Sequence, residues 1–367
     1  MMPLRHLYVH IPFCLKVCPY CSFYKERLEP TRMRRFLDAL LLELERESGK
    51  RLLQPRTIFF GGGTPSALSA SQLEYLLTGI RERLDLSALS EWTLEMNPAT
   101  VSMSKARLLR ALGVNRISMG VQSWDPALLS VLGRVHTAAQ AERSYEILRE
   151  AGFDNINLDL MFAVPTQTLA QWEATLEKTI ALGPEHISAY CLTYEEDTAF
   201  FERFSSGLYA QNKDWDADLF EATLDRLEAV GYDGYEISNH ARPGRECFHN
   251  LAYWEGADYL GLGPSAFSTC GAERWQNVAD VQAYTSRIFA GESAIGFREE
   301  VDASTHLAER IAFGLRTNRG VALDLLGPWQ SVVDEYLSEG FFTHDGARIR
   351  LTRKGKLVAD TLAEAFV

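Results

Sequence analysis

The chain has 367 residues, 46% hydrophobic, 11% aromatic and 23% charged, a mix that supports a large apolar core and excludes disorder and fibrous repeats. Its 37 Lys and Arg stand against 49 Asp and Glu, a net charge of -12 that opposes nonspecific attachment to nucleic acid or to an anionic membrane surface. No apolar run reaches the roughly 18 residues a membrane span needs, and the start MMPLRHLYVHIPFC lacks the apolar stretch of a signal peptide, so a cytoplasmic location is expected.

Hydrophobic cores stop growing near roughly 250 to 300 residues, so the length predicts one large unit and a smaller C-terminal one. Six β-rich runs are readable in chain order: LYVHIP (7-12), TIFFGGG (57-63), WTLEMNP (92-98), RISMGVQS (116-123), NINLDLMFAVP (155-165) and HISAYCLT (186-193). After the first, Met33, Phe36, Leu37, Leu40, Leu41 and Leu44 fall on one stripe of a helix, with Arg32, Arg35 and Glu43 outside. Amphipathic patterns of the same kind follow at 69-84, 102-112, 137-151, 168-182 and 214-230, several closed by a glycine such as Gly113, Gly152 or Gly231. Six βα units predict an α/β fold, a partial (β/α)6 barrel over 1-235, two units short of a TIM barrel and open at the C-terminal strand ends where sites form. Residues 236-300 read as a loop-rich, site-covering segment, with glycines at 244, 256, 261, 263 and 271. Residues 301-367 read as helices at 304-315 and 328-339, a hairpin with Asp345-Gly346 as a type I′ turn, and a helix at 354-366, a small winged-helix-like α+β domain. The basic wing, Arg348, Arg350, Arg353, Lys354 and Lys356, reads as a solvated face rather than a nucleic-acid site.

Cys14, Cys18 and Cys21 follow the first strand as C-x3-C-x2-C, while Cys191, Cys247 and Cys270 are scattered. That layout is not a disulfide framework and points to metal. An iron-sulfur cluster with one open iron position fits three local thiolates better than structural zinc, which needs a fourth ligand such as His10 or a distant cysteine. Gly61, Gly62, Gly63, Thr64 and Pro65 end the second strand; they are read as a tight turn, or as backbone amides facing a ligand beside the cysteine loop. Glu95 and Asp159 lie in otherwise apolar strands and need a cation or a polar ligand as partner. Gln122 and Arg134 stand at the end of the fourth strand and in the loop after it. GLGPSA at 261-266 fits G-x-G-x-x-A but lacks a βαβ setting, so a dinucleotide site is not expected. In CFHNLAYW (247-254), His249 reads as a hydrogen-bonding residue, the commoner role of a lone histidine, or as a haem ligand, with Tyr253 and Trp254 as core residues or as rings to stack on a porphyrin.

HIPFC-x3-C-x2-C, GGGTP, TLEMNP, SMGVQS and the Asp159 strand together resemble the radical S-adenosylmethionine superfamily, in its coproporphyrinogen-oxidase-like branch, over nearly the whole chain. The resemblance implies that Cys14, Cys18 and Cys21 hold a [4Fe-4S] cluster whose fourth iron is chelated by S-adenosylmethionine. It implies further that Tyr8, Gly62, Gly63, Thr64, Glu95, Gln122, Arg134 and Asp159 line the S-adenosylmethionine site. An electron from the reduced cluster would cleave the sulfonium to a 5′-deoxyadenosyl radical.

Two kinds of protein occupy that branch, an oxygen-independent oxidase that decarboxylates porphyrinogen propionates and a haem chaperone. Oxidases carry a fourth cysteine where this chain has Phe23, and an N-terminal extension where this chain reaches its first strand by Leu7. HNLAYW resembles the chaperones' H-N-x-x-Y-W. The implied function is therefore haem carriage without coproporphyrinogen oxidation, with the oxidase as the alternative, His249 as the haem contact and Cys247 as its rival. Implied partners are haem-accepting proteins, with membrane-bound respiratory enzymes as candidates, and an electron donor for the cluster. Neither nucleic acid nor a membrane span is expected.

Overall fold

The computed structural model describes residues 3–366. Six strands, β1 (Leu4–Ile11), β2 (Leu53–Gly62), β3 (Glu91–Met96), β4 (Arg116–Gln122), β5 (Ile156–Phe162) and β6 (His186–Cys191), lie side by side in sequence order, all parallel. Parallel neighbours need crossovers, supplied by α1 (Pro30–Lys50), α2 (Ala70–Arg83), α3 (Met103–Ala111), α4 (Ala138–Glu150) and α5 (Leu169–Leu182), and a sixth helix, α6 (Lys213–Glu228), follows β6. The architecture is the expected α/β partial barrel. Ser69, Thr137 and Thr168 start α2, α4 and α5 with reciprocal capping boxes, each satisfying two backbone donors that a helix start leaves unpaired.

Period-two alternation sorts each strand's residues between two environments. Along β4, Ile117, Met119 and Val121 join the main core, while Arg116, Ser118, Gly120 and Gln122 face a central cavity. Along β5, Ile156, Leu158 and Leu160 pack outward, and Asn157, Asp159 and Met161 face inward. The barrel interior is thus polar, and the apolar core lies between the sheet and its helices. Met33, Phe36, Leu37, Leu40, Leu41 and Leu44 of α1 are buried as their spacing predicts. Glu43 is a correction: it is 7% exposed, and accepts hydrogen bonds from Gly263 N (2.8 Å), Asn277 Nδ2 (2.7 Å) and Tyr284 Oη (2.5 Å). Such a set of donors is what a buried carboxyl requires.

A second correction concerns 236-300, which is structured rather than loop-rich. Asn239–Ala241 (β7) pairs antiparallel with β6, and Asp233–Gly234 pairs beyond it. On the opposite edge Leu260–Leu262 (β8) pairs parallel with β1, giving a nine-stranded open sheet. Between them lies α7 (Phe248–Trp254), and a three-stranded antiparallel sheet and a helix, Val281–Ala290, follow. GLGPSA is followed by the strand Phe267–Cys270 and not by a helix. Its glycines serve close packing: a Cβ at Gly261 would lie 2.1 Å from Phe267 O, and one at Gly263 would lie 2.6 Å from His10 O.

The C-terminal segment has its own apolar cluster, including Ile311, Leu315, Val333, Phe342, Ile349 and Phe366, with Ile237 packed against both this cluster and the main core. Its helices are α8 (Ala303–Leu315), which the sequence marks to within a residue, and a shorter one over Gln330–Ser338. Two details differ from expectation. The Phe342–His344/Arg348–Leu351 hairpin has a left-handed φ at Gly346 (90°) but not at Asp345. Asp345 instead accepts from the amides of Ala347 and Arg348, so the turn is centred one residue later and a type I′ geometry is excluded. The predicted last helix is broken into Arg353–Lys356 and Ala359–Glu364.

Candidate functional site

At the C-terminal ends of β1 to β6 a cavity of about 540 Å³ runs from the cysteine loop into the barrel. Its wall brings together Cys14, Cys18, Cys21, Gly62, Gly63, Thr64, Glu95, Gln122, Arg134 and Asp159. The cysteine loop is anchored where Phe13–Cys14 pairs with Glu26–Arg27. Cys14 Sγ lies 3.5 Å from Thr64 Oγ1, and Arg134 donates from one guanidinium nitrogen to Cys18 Sγ (3.5 Å) and from another to Gly120 O (2.6 Å). Lys25 Nζ bonds Cys21 O. Burial pushes the Cys14 and Cys21 thiols up, opposed at Cys21 by Lys25 and at Cys14 by the Thr64 hydroxyl and Arg134. These cations favour the thiolate that metal ligation needs.

The glycines act differently from the amide-cradle expectation. Gly63 N donates to Ile11 O and Thr64 N to Phe13 O, both at 2.9 Å, so these amides tie the turn to the end of β1 and the start of the cysteine loop. A Cβ at Gly62, whose φ is 105°, would lie 2.5 Å from the His10 ring, and one at Gly63 would lie 2.6 Å from Pro12. Glycine is needed there so that the turn can close on the cysteine loop. His10 is engaged through both ring nitrogens, Nδ1 with Tyr8 Oη (3.1 Å) and Nε2 with Tyr24 O (3.0 Å), and so is not free to complete a zinc site. Tyr8 is the one S-adenosylmethionine candidate outside the cavity wall; it stacks on Phe59, which does line it.

Burial, and then the Asp159 carboxylate, push Glu95 up to about 8, against the pull of the Gly62 amide and Arg116. Asp159 is also raised by burial, opposed by Arg116 and by hydrogen bonds from Ser118, Ser188 and Asn157. Two like charges facing one cavity disfavour joint ionisation unless a cationic or hydrogen-bonding ligand enters. Gln122 sits at a register shift with φ 69°, a strained conformation for a non-glycine residue. A Cβ at Gly120 would lie 3.0 Å from Gln122 Nε2 and 3.3 Å from Arg134, so this glycine makes room for both side chains. Arg134 Nε is buried without a partner.

Deeper in the barrel lie residues that motif reading missed. Asn157 Nδ2 reaches Asp159 Oδ1 (2.6 Å), Ser118 Oγ (2.8 Å) and Ser188 Oγ (2.9 Å), and its Oδ1 meets His186 Nδ1 (2.6 Å). His186 Nε2 lies 2.9 Å from Tyr235 Oη, which accepts from Cys247 N (3.4 Å). Arg116, 2% exposed, borders the same cavity. Glu91 accepts from Phe248 N (2.9 Å), His249 N (3.1 Å) and Cys247 Sγ (3.4 Å), seating the start of α7 on the barrel floor. The signal that could have found them was the alternation itself: Arg116, Ser118, Asn157 and Ser188 hold the inward phase of strands whose outward phase is apolar.

His249 is not brought to the cysteine cavity. It is 8% exposed, stacks on Phe59 at 5.2 Å and meets Thr57 Oγ1 through Nδ1 at 2.8 Å. Burial, then His6 and Arg116, lower it to about 3, so the imidazole is neutral. Cys247 is fully buried, and burial pushes its thiol up to about 12. The exposed part of α7 is Phe248 and Tyr253, with Trp254 half-buried against Phe313.

Residues 8–179 match the Radical SAM superfamily. The chain is 36% identical over 371 residues to the heme chaperone HemW of Lactococcus lactis, covering 98% of this chain and 96% of the relative. It is 36% identical over 379 residues to HemW of Bacillus subtilis, covering 99% of each, and 34% identical over 384 residues to HemW of Escherichia coli, covering 100% and 99%. Among solved structures, the coproporphyrinogen III oxidase HemN of Escherichia coli superposes with a TM-score of 0.86 at 24% identity, over 99% of this chain and 90% of that one; this is a likeness of fold.

Proposed function

Because the chain belongs to the heme chaperone HemW family of the Radical SAM superfamily, we propose that it binds haem and passes it to acceptor proteins, on a scaffold that holds a [4Fe-4S] cluster and S-adenosylmethionine. The observation that carries this reading is kinship at 36% identity through 98% of the chain, α7 and the C-terminal segment included.

Cys14, Cys18 and Cys21 are the residues that would hold the cluster. They share one wall of the cavity, yet no three metal-binding side chains among the described residues close on a single ion. A cubic cluster takes one thiolate per iron and so suits ligands set further apart than those of one zinc. When bound, the reduced cluster supplies an electron able to cleave the sulfonium of S-adenosylmethionine. Arg134, with its unpartnered Nε, is suited to the ligand's carboxylate, Glu95 to its ammonium group and Asp159 to ribose hydroxyls. Gln122 narrows the mouth beside Arg134, and Tyr8 supports Phe59 from behind. These roles give both raised carboxyls a partner.

Haem is the cargo, and α7 is the element proposed to meet it. His249 holds α7 to Thr57 in the haem-free state and becomes an iron ligand when that bond is exchanged; its neutral imidazole is the form that ligates. The proposed setting is the cytoplasm, with membrane-bound respiratory enzymes as acceptors and a separate electron donor. Among the described residues no helix is long and apolar enough to cross a membrane.

The test is a haem titration of the anaerobically reconstituted protein, which is expected to give a saturable Soret band. Binding no better than to albumin would remove the proposal. Turnover of coproporphyrinogen III with reductant and S-adenosylmethionine would replace it with the oxidase.

A further inference from the structure

A second cavity, of about 550 Å³, lies at the C-terminal end of α7, between Trp254 and the C-terminal sheet. Four guanidinium groups line it, Arg310, Arg319, Arg348 and Arg350, against one carboxylate, Glu255. That concentration runs against a chain whose net charge is -12, and it lies beside the helix assigned to haem.

The four arginines are not equally committed. Arg348 donates to Arg319 O and Gly320 O, both at 2.7 Å, and builds the floor, where a Cβ at Gly320 would lie 1.9 Å from Ile349 O. Arg319 pairs with Glu255. Arg350 pairs with Asp345 at 2.6 Å through one terminal nitrogen while its Nε is buried without a partner. Arg310 makes no ion pair with any described carboxylate; its stem lies against Gly256, where a Cβ would come within 3.3 Å of Arg310 Cγ. Arg348 keeps its full charge on neutral carbonyls, so the groove has a surplus of positive charge. It offers forked donors on one side and an indole on the other.

We propose that this groove takes the propionate carboxylates of haem, with Arg310 and Arg350 as their partners and the macrocycle edge against Trp254. The proposal rests on the haem-carrying reading. A guanidinium fork matches a carboxylate with two parallel hydrogen bonds, and a concave positive site raises the local concentration of a dianionic ligand. The groove also gives the C-terminal segment a part in cargo recognition, since Arg350 and Arg310 come from it and Trp254 from α7.

The experiment compares haem with haem dimethyl ester, in which both carboxylates are masked, by Soret titration of the full-length protein. Wild type is expected to bind haem at least about tenfold more tightly than the ester, the scale of one charge-assisted hydrogen bond. Arg310→Gln and the double variant Arg310→Gln/Arg350→Gln are expected to lose that preference stepwise while the ester's affinity holds. Arg310 has no structural partner, so its variant tests the idea even where loss of the Arg350–Asp345 pair disturbs the hairpin. Equal affinity of wild type for haem and ester, or unchanged haem affinity in Arg310→Gln and the double variant, overturns the groove assignment and leaves the haem reading standing. No saturable binding of either ligand to wild type overturns the haem reading itself.

Discussion

Replacing Glu91 by alanine is expected to release α7 from the barrel. The carboxylate accepts from the His249 and Phe248 amides at 3.1 and 2.9 Å and from the Cys247 thiol at 3.4 Å. Leaving a buried amide unsatisfied costs about 1 to 3 kcal/mol. The His249 donor is buried and suffers most of that, while the part-buried Phe248 donor recovers some from water. Glu91 is also one of the charges facing Arg116, whose pKa its neighbours Cys247, Glu91, Tyr235 and Asp159 raise against desolvation. Its removal leaves a buried guanidinium less compensated. Together these give about 3 kcal/mol against the seated helix, or about a hundredfold faster opening-limited exchange of the α7 amides. Native-state hydrogen exchange reads this directly, with the amides of α2 as internal control. Glu91→Gln keeps one acceptor and is expected to show about a third of the effect. Unchanged exchange at Phe248 and His249 in Glu91→Ala, with the fold intact, would refute the account of Glu91 as the clamp on α7.

Cys18→Ala is expected to abolish the iron-sulfur absorbance after reconstitution, roughly to the level of apoprotein, because two thiolates do not retain a cubane; retention of the band would contradict the ligand set. Glu95 is held up to about 8 by burial and then by Asp159, so it is protonated in the free chain at neutral pH. An ammonium ligand selects the carboxylate, so binding releases a proton and affinity for S-adenosylmethionine rises with pH, by about tenfold from pH 6 to 7. Calorimetry should find that slope in wild type and lose it in Glu95→Gln; a flat wild-type profile would remove Glu95 from the ammonium site. His249→Ala and Thr57→Ala both delete the 2.8 Å bond that seats the imidazole, at about 1 kcal/mol of stability. Haem affinity is expected to fall only in His249→Ala; an equal fall in both would make His249 a support rather than a ligand.

The six parallel strands and their helices were legible because apolar stripes of period 3.6 and terminal glycines mark long elements strongly. The cysteine triad stands out because its three thiols lie within eight residues of one another in sequence. What was hidden was mostly set by partners far along the chain. Glu43 looks like a surface residue on its own helix; only Gly263, Asn277 and Tyr284, more than two hundred residues away, make its burial tolerable. The strand Leu260–Leu262 is three residues with Gly261 at its centre, too short for periodicity, and is held by pairing with β1. Neither Arg116 nor Asn157 belongs to a motif; their meaning lies in which face of a strand they occupy. His249 was read by its neighbours in sequence, whereas its surroundings are Phe59, Thr57 and His6.

The row of bonds running from Asp159 to Cys247 has a fixed polarity. An ionised Asp159 can only accept, so it turns the Asn157 amide nitrogen toward itself and leaves the oxygen for His186. His186 must then carry its proton on Nδ1, its bare Nε2 takes the Tyr235 hydroxyl, and the phenol oxygen is left to receive the Cys247 amide. No link in the row can be reversed alone. Ser188 Oγ, whose own hydrogen goes to Asn239 Oδ1, accepts from the same amide nitrogen, so Asn157 is oriented from two sides and the Nδ1–H tautomer of one buried imidazole links the cavity wall to the root of α7.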